Sequence, residues 1–557
     1  MGKLKIKLRL AGSFSCIDDK NHSHYHYDLD NLTPGINYQD KHILKLSKEK
    51  QVDWVISRIC DHASGTLQPC QDEKLAECPL HGWKLDLEKL KYNNVNVTKE
   101  KLEFEVTNNQ VVIHQPKTHL QLPENITSQQ QALDLNIRFL SHASLLFNCD
   151  TINIITDPWI HGPCFLNGWW HDPAPCSDAL DQLFNADLVY ISHNHPDHMH
   201  EETLIKLIQH RPDIPIVIPK FKTKSAETPL RNLGFTNVIP LAFNQIHKLD
   251  ENEIYISILK SGDFRDDSGL YLCYGKKQAL ITVDSSALNH YVLPTDIDFL
   301  ATSFAGGASS HPWCFDHYDE NEKSKISENR LLSVKNSIYK YIDICKPKSY
   351  MPYAGYFSEA APRDEYIKNN NNKNSLEDIE EEVNRLYPSV MTINPTITDK
   401  ISIGTSITTL SSNINRPIIT KEEISKYIDS ESIPKEESFF KATKDYFSAS
   451  QFQDDLVVYI IPCTSDFTPL DKGLTVDFSQ QAKTKIMSHR DIQSEYDSAS
   501  SDHRQLLIKV RATLLWQAIK DHKSWEELSI GFHCRIHRKP DVYNSDFWYH
   551  FSNIYIK

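Results

Sequence analysis

Four residues in one short stretch carry the first chemical signal. Residues 60–83 read CDHASGTLQPCQDEKLAECPLHGW. Cys60-x-His62 and Cys78-x-x-His81 each pair one thiolate with one imidazole. Two such arms suit a diiron cluster in which two cysteines hold one iron and two histidines the other. Neutral imidazoles leave their iron less negative than thiolates would, so the potential rises above that of an all-cysteine cluster. A Cys2His2 zinc site uses the same ligand types. Its finger order is Cys, Cys, His, His, whereas this order is Cys, His, Cys, His, and the flanks are strand-like. The reading is therefore a [2Fe–2S] cluster of the Rieske type on Cys60, His62, Cys78 and His81. Cys70, between the arms, reads as a bystander.

The second signal is VYISHNHPDHMH at residues 189–200. A strand ending at Ser192 delivers His193-x-His195-x-Asp197-His198, the signature of the metallo-β-lactamase fold. That spacing lets one loop serve two adjacent metals, His193 and His195 facing one ion, Asp197 and His198 the other. His200 is read as solvent-facing. The pattern calls for a third histidine after a later strand. YISILKSGDFRDDSG stands there without one, and Asp263 is the best substitute, with Asp266 or Asp267 behind it. ALITVDSS supplies Asp284 as the bridging carboxylate. KPKSYMPYAGYF, where a last histidine is expected, has none. His311 in GGASSHPW could stand in, but reads better as a loop or substrate-contacting residue. A site of two histidines, one or two carboxylates and open positions suits one or two non-haem iron ions and oxygen chemistry more than zinc hydrolysis. A cluster on the same chain supplies electrons that hydrolysis does not need. Together the two constellations read as a monooxygenase with molecular oxygen as co-substrate.

Around these motifs the chain divides into an α+β architecture. Residues 1–122 hold short alternating segments such as KLKIKLRL, HILKLS and WVISRIC, read as an all-β unit carrying the cluster. QLPENITSQQQALD reads as a polar linker. Residues 135–400 alternate strand and helix, as a central αββα layered unit requires. NNNNKN near residue 369 reads as an exposed loop, and LEDIEEEVNRLY after it as a charged helix. Residues 401–557 form a mixed α/β region packing on the catalytic unit. It includes GFHCRIHR, whose His533 and His537 read as structural and whose Arg535 and Arg538 could meet a phosphate.

Bulk properties narrow the function. The chain has 557 residues, 40% of them hydrophobic, with a formal net charge of -14. That balance argues against a nucleic-acid binder, though not against a nucleotide substrate. Twelve cysteines over this length do not make a disulfide scaffold. No apolar run spans a membrane, and MGKLKIKLRL reads as an edge strand rather than a signal peptide. The expectation is a soluble cytoplasmic protein.

Beyond the ligands, the chain resembles the CMP-N-acetylneuraminate hydroxylases, which join a Rieske domain to a metallo-β-lactamase-like domain in this order. FLSHASLLF, TDPWIHGPCFLNGWW, ADLVYISHNHPDHMH, ATSFAGGAS, PKSYMPYAGYF and SWEELSIGFHCRIHRKPDVYNSDFWYHF carry the likeness, collinear over most of the chain. The resemblance implies hydroxylation of the N-acetyl group of a CMP-activated sialic acid or related sugar nucleotide. Electrons would come from a cytochrome b5-type protein or a ferredoxin with its reductase. Trp169, Trp170, Phe304, Gly306, Gly307 and His311 are candidates for the substrate pocket. Two other readings stay open: C- or N-oxygenation of another small molecule, and a metal-dependent hydrolase of the lactonase or phosphodiesterase type.

Overall fold

The computed structural model describes residues 6–61, 65–79, 82–93, 97–128, 131–249, 253–263, 265–411, 414–499 and 503–553. His62 and His81 lie outside the described residues. Most of residues 15–121 form three small antiparallel sheets. Strands Gly35–Tyr38, His42–Leu46 and Val52–Ser57 make one; Gln68–Pro69, Leu75–Glu77, Lys84–Asp86 and Lys91–Tyr92 make a second. Between them a core gathers Ile43, Trp54, Ile56, Leu67, Trp83, Leu85 and Tyr92 around buried Cys60 and Cys78. The first strand, Leu8–Ser13, does not belong to this unit. It pairs antiparallel with Gln245–Leu249 at the edge of a central sheet. Its alternating sequence suits an edge strand, and the partner it finds is distant in the chain.

The central unit stacks two eight-stranded sheets face to face. Apolar residues from both inner faces, among them Ile137, Phe147, Tyr190, Ile256, Leu272 and Leu300, form one continuous core. Helices Ala179–Asn185, Glu201–His210 and Glu227–Leu233 cover the outer face of one sheet through Leu183, Leu204, Leu207 and Leu230. Helices Glu320–Cys345 and Leu376–Leu386 pack through Ile338, Tyr341, Ile379 and Val383. This is a metallo-β-lactamase-like fold. The unit runs past residue 400, because strands Thr398–Ile403 and Ile407–Ser411 extend one sheet.

The C-terminal region is a five-stranded mixed sheet, with Leu456–Cys463 and Arg504–Arg511 parallel at its centre. Strand Cys534–Lys539 alternates buried and half-buried residues, which turns Cys534, Ile536 and Arg538 inward. The apolar faces of helices Glu436–Ala449, Ala512–Lys520 and Trp525–Ile530 share a core with Trp159, Trp169, Trp313 and Phe357 of the central unit. Among the described residues, no helix is long and apolar enough to cross a membrane.

Candidate metal centre

The metal-type residues converge at one edge of the sandwich, where several strands end. Strand Leu188–Tyr190 runs parallel between two neighbours and stops just before the loop of His193, His195, Asp197 and His198. Helix Glu201–His210 then fixes the loop's far end, and His200 caps it, its Nδ1 accepting the Thr203 N–H at 3.3 Å. His200 is therefore buried rather than solvent-facing; its Nε2 meets the Pro163 carbonyl at 3.0 Å, and burial pushes its pKa down to about 4.

Asp197 Oδ2 stands 3.3 Å from both His142 Nε2 and His198 Nε2. His198 Nε2 is also 3.3 Å from Asp284 Oδ2. His193 Nε2 lies 2.9 Å from His195 Nδ1. Two triads have the compactness of metal sites, His142–Asp197–His198 and His193–His198–Asp284. Burial opposes a charge on His198, but Asp197 and Asp284 outweigh it and hold its pKa well above the usual value. Burial likewise opposes ionised Asp197, and His198 and His142 overcome it, holding that carboxyl well below its ordinary range. Asp197 Oδ1 and His198 Nε2 are buried without a hydrogen-bond partner in the protein. A buried carboxylate oxygen and a buried imidazole nitrogen left without a partner within these triads fit a bound cation.

A second ring of residues orients these ligands. Asp157 accepts the Ser192 N–H at 2.8 Å and the Ser192 hydroxyl at 2.9 Å, and its Oδ2 stands 3.2 Å from His198 Nδ1. Glu526, on the C-terminal helix Trp525–Ile530, brings Oε2 to 3.2 Å from His195 Nε2. The sequence reading passed over His142, Asp157 and Glu526. His142, Asp157 and Glu526 sit in FLSHASLLF, TDPWI and SWEELSIGF, stretches notable only for family likeness.

At the position of the absent third histidine, Asp263 is held by Arg265, which donates its backbone N–H at 3.1 Å and its Nε–H at 2.8 Å. Asp266 accepts hydrogen bonds from the Thr223 and Ser225 hydroxyls. Asp267 is the carboxylate that faces the site, 3.5 Å from His193 Nδ1, and burial pushes its pKa up to about 7.

A cavity of about 280 Å³ opens onto His193, His195, Asp197, Asp267 and Asp284. Its walls include Trp169, Gly306, Gly307 and His311. Trp169 is fixed by stacking on Phe357, ring centroids 3.5 Å apart, and by donating its indole N–H to the Ile530 carbonyl at 3.0 Å. Trp170 does not reach the cavity. It packs against Ala361 and Ile424 and donates to the Asn167 carbonyl at 3.2 Å. Phe304 is buried against Tyr356, behind the lining rather than in it. His533 Nε2 is engaged by the Phe165 carbonyl at 2.9 Å.

The segment of Cys60 and Cys78 packs against residues of the cavity wall. Cys60 and Cys78 are buried in the core of the N-terminal unit, their backbone N–H groups donating to Gly65 and Trp83 carbonyls at 2.8 Å. Gly82, at φ +71°, packs so closely that an added Cβ would lie 2.9 Å from Arg538 Nη2 and 3.3 Å from His311 Nε2. Trp83 and Tyr543 rings lie 6.4 Å apart, and Tyr543 also lines the cavity. Two buried thiols in one core, with Gly82 and Trp83 of the same segment packed against His311 and Tyr543 of the cavity wall, are compatible with a redox cluster near a second centre.

Comparison with known proteins follows the same lines. Residues 136–263 match the beta-lactamase superfamily domain. The cytidine monophosphate-N-acetylneuraminic acid hydroxylase of Xenopus laevis is 30% identical over 527 residues, covering 89% of this chain and 86% of that protein. The Mus musculus protein of the same name is 29% identical, covering 94% of each chain. Among solved structures, the diiron beta-hydroxylase CmlA of Streptomyces venezuelae overlaps 49% of this chain and 54% of its own, with 15% identity and a TM-score of 0.33, a likeness too slight to build on.

Proposed function

The chain belongs to the cytidine monophosphate-N-acetylneuraminic acid hydroxylase family, and from that premise we propose that it is an iron-dependent monooxygenase acting on the N-acetyl group of a CMP-activated sialic acid or related sugar nucleotide. Cys60, His62, Cys78 and His81 would hold a Rieske cluster, which would supply the electrons. The observation that carries the reading is the shared wall: His311 and Tyr543 line the metal cavity and also stand beside Gly82 and Trp83 of the cluster-bearing segment.

His142, His193, His195, Asp197, His198 and Asp284 would hold one or two iron ions, with Asp267 in the place of the missing histidine. Bound there, the [2Fe–2S] cluster supplies single electrons and the iron supplies activation of molecular oxygen for insertion into a C–H bond. The chain's own part is geometric and electrostatic. Asp157 and Ser192 fix the ring of His198, and Glu526 fixes that of His195. Trp169 and Phe357 present a rigid apolar wall that keeps water from the reacting group. The donor is a cytochrome b5-type protein or a ferredoxin with its reductase, and the setting is the cytoplasm, where Cys60 and Cys78 stay reduced for cluster assembly.

The test is a reconstituted assay with reductase, donor, 18O2 and CMP-N-acetylneuraminate. One 18O atom in the acyl group of the product is expected. No oxygen transfer to any sugar nucleotide by fully loaded protein would overturn the reading.

A further inference from the structure

Arg330 is a buried cation with no carboxylate on it. It is 2% exposed, inside helix Glu320–Cys345, and lines the metal cavity. Its Nη1 donates to the His311 carbonyl at 2.7 Å, and its Nη2 donates to Ser327 Oγ at 3.2 Å and Asn371 Oδ1 at 2.9 Å. All three acceptors are neutral. Nε has no partner in the protein. Among the described residues, Glu359 is the one carboxylate that acts on Arg330, and it is already committed to Lys373 Nζ at 2.9 Å and Asn371 Nδ2 at 3.0 Å. Burial lowers the guanidinium's pKa only to about 10, so the charge persists at neutral pH. A guanidinium withdrawn from water is costly unless an anion meets it.

The facing loop offers donors of its own. It leaves strand Phe299–Ser303 and passes through Gly306 and Gly307 at φ +69° and +79°, a conformation that other side chains resist. Among the described residues, the N–H groups of Gly306, Gly307, Ala308, Ser309 and Ser310 meet no acceptor in the protein. Asn371 Nδ2 holds the Gly307 carbonyl at 2.9 Å, and Asn374 Nδ2 holds that of Phe304 at 3.0 Å. In the Asn-rich segment expected to be an exposed loop, Asn371 and Asn374 are buried and brace this turn, because their amides satisfy its carbonyls, while Asn369 and Asn372 stay exposed. Successive unengaged N–H groups beside a fixed guanidinium make a cradle for an oxyanion.

We propose that Arg330 and the 306–310 loop form the subsite that binds an oxyanion of the substrate, a phosphodiester or a sugar carboxylate. This rests on the sugar-nucleotide reading above and adds which residues take its charge.

The test measures binding to loaded holoenzyme by titration calorimetry. One arm compares CMP with cytidine; the other compares CMP-N-acetylneuraminate with its carboxylate methyl ester. One pair should show the member that carries the additional anionic group binding about 10- to 100-fold tighter, the range of a charge-assisted contact. R330Q should abolish that difference while the member lacking that group binds as before, and R330K should shrink it by about 3-fold or more because an ammonium cannot copy the planar fork. Equal binding within both pairs, or a difference that survives in R330Q, would overturn the proposal. Should R330Q not fold, R330K decides alone: an unchanged difference overturns it, a reduced one supports it. Wild-type protein that discriminates the pairs through Arg330 yet transfers no oxygen keeps the cradle and removes the proposed reaction.

Discussion

The backbone N–H of Thr66 donates to Ser333 Oγ at 3.1 Å, tying the segment that follows Cys60 to a helix of the catalytic unit. Ser333 and Arg330 are three residues apart on that helix and so share a face. One rigid element thus touches both the cluster-bearing segment and the substrate cavity. S333A leaves the buried Thr66 N–H unpaired, at a cost of about 1–3 kcal/mol. Stopped-flow spectroscopy should show slower electron passage from cluster to second site, with the cluster's own EPR signal unchanged.

Lys84 and Asp541 form a further tie, at 2.8 Å. Burial works against ionised Asp541, but the His317 hydrogen bond, Arg538 and Lys84 prevail and hold its carboxyl far below the usual range. A folded pKa below the unfolded value of about 3.9 contributes stability that is present above that pH and lost as pH falls below it. D541N should lower the holoprotein's urea midpoint at neutral pH. It should also flatten the loss of stability below about pH 4.

Glu526 reaches His195 from a unit far along the chain. E526Q should weaken iron binding at the second centre about 10- to 100-fold, as loss of an outer partner does. Iron analysis after mild chelation would show the drop, while the cluster's absorption stays constant.

His142 belongs to one of the two triads and Asp284 to the other. H142A should lower iron at the Asp197 position and D284N at the His193 position. Mössbauer spectra of the two variants should then lose different components if two ions are bound, and the same component if one is.

The sequence carried what is local. A single loop holds His193, His195, Asp197 and His198, so their spacing revealed the site and the fold together. Residues brought to the site by tertiary packing had no such signature. His142 comes from a hairpin turn, Asp157 from the end of a neighbouring strand, and Glu526 from another unit. Asp263 stood at a suitable place in the chain, but Arg265 two residues later captures it and leaves Asp267 to face His193. Trp169 and Trp170 are adjacent, and only their opposite side-chain directions decide which one lines the cavity. His200, Asn371 and Asn374 were misread for one reason. Polarity suggested exposure, yet each finds enough buried hydrogen-bond partners to be drawn inside.

The central claim is that electrons held on the cluster of a chain reach the oxygen-activating site through the wall shared by Gly82 and His311. A single-turnover experiment tests it most directly. Protein with both centres loaded is reduced under anaerobic conditions, freed of reductant, and mixed with 18O2 and CMP-N-acetylneuraminate while the cluster's EPR signal is followed. The account predicts that the signal decays in step with formation of 18O-labelled N-glycolyl product. Decay of the signal without labelled product, or product formed while the cluster stays reduced, would contradict it.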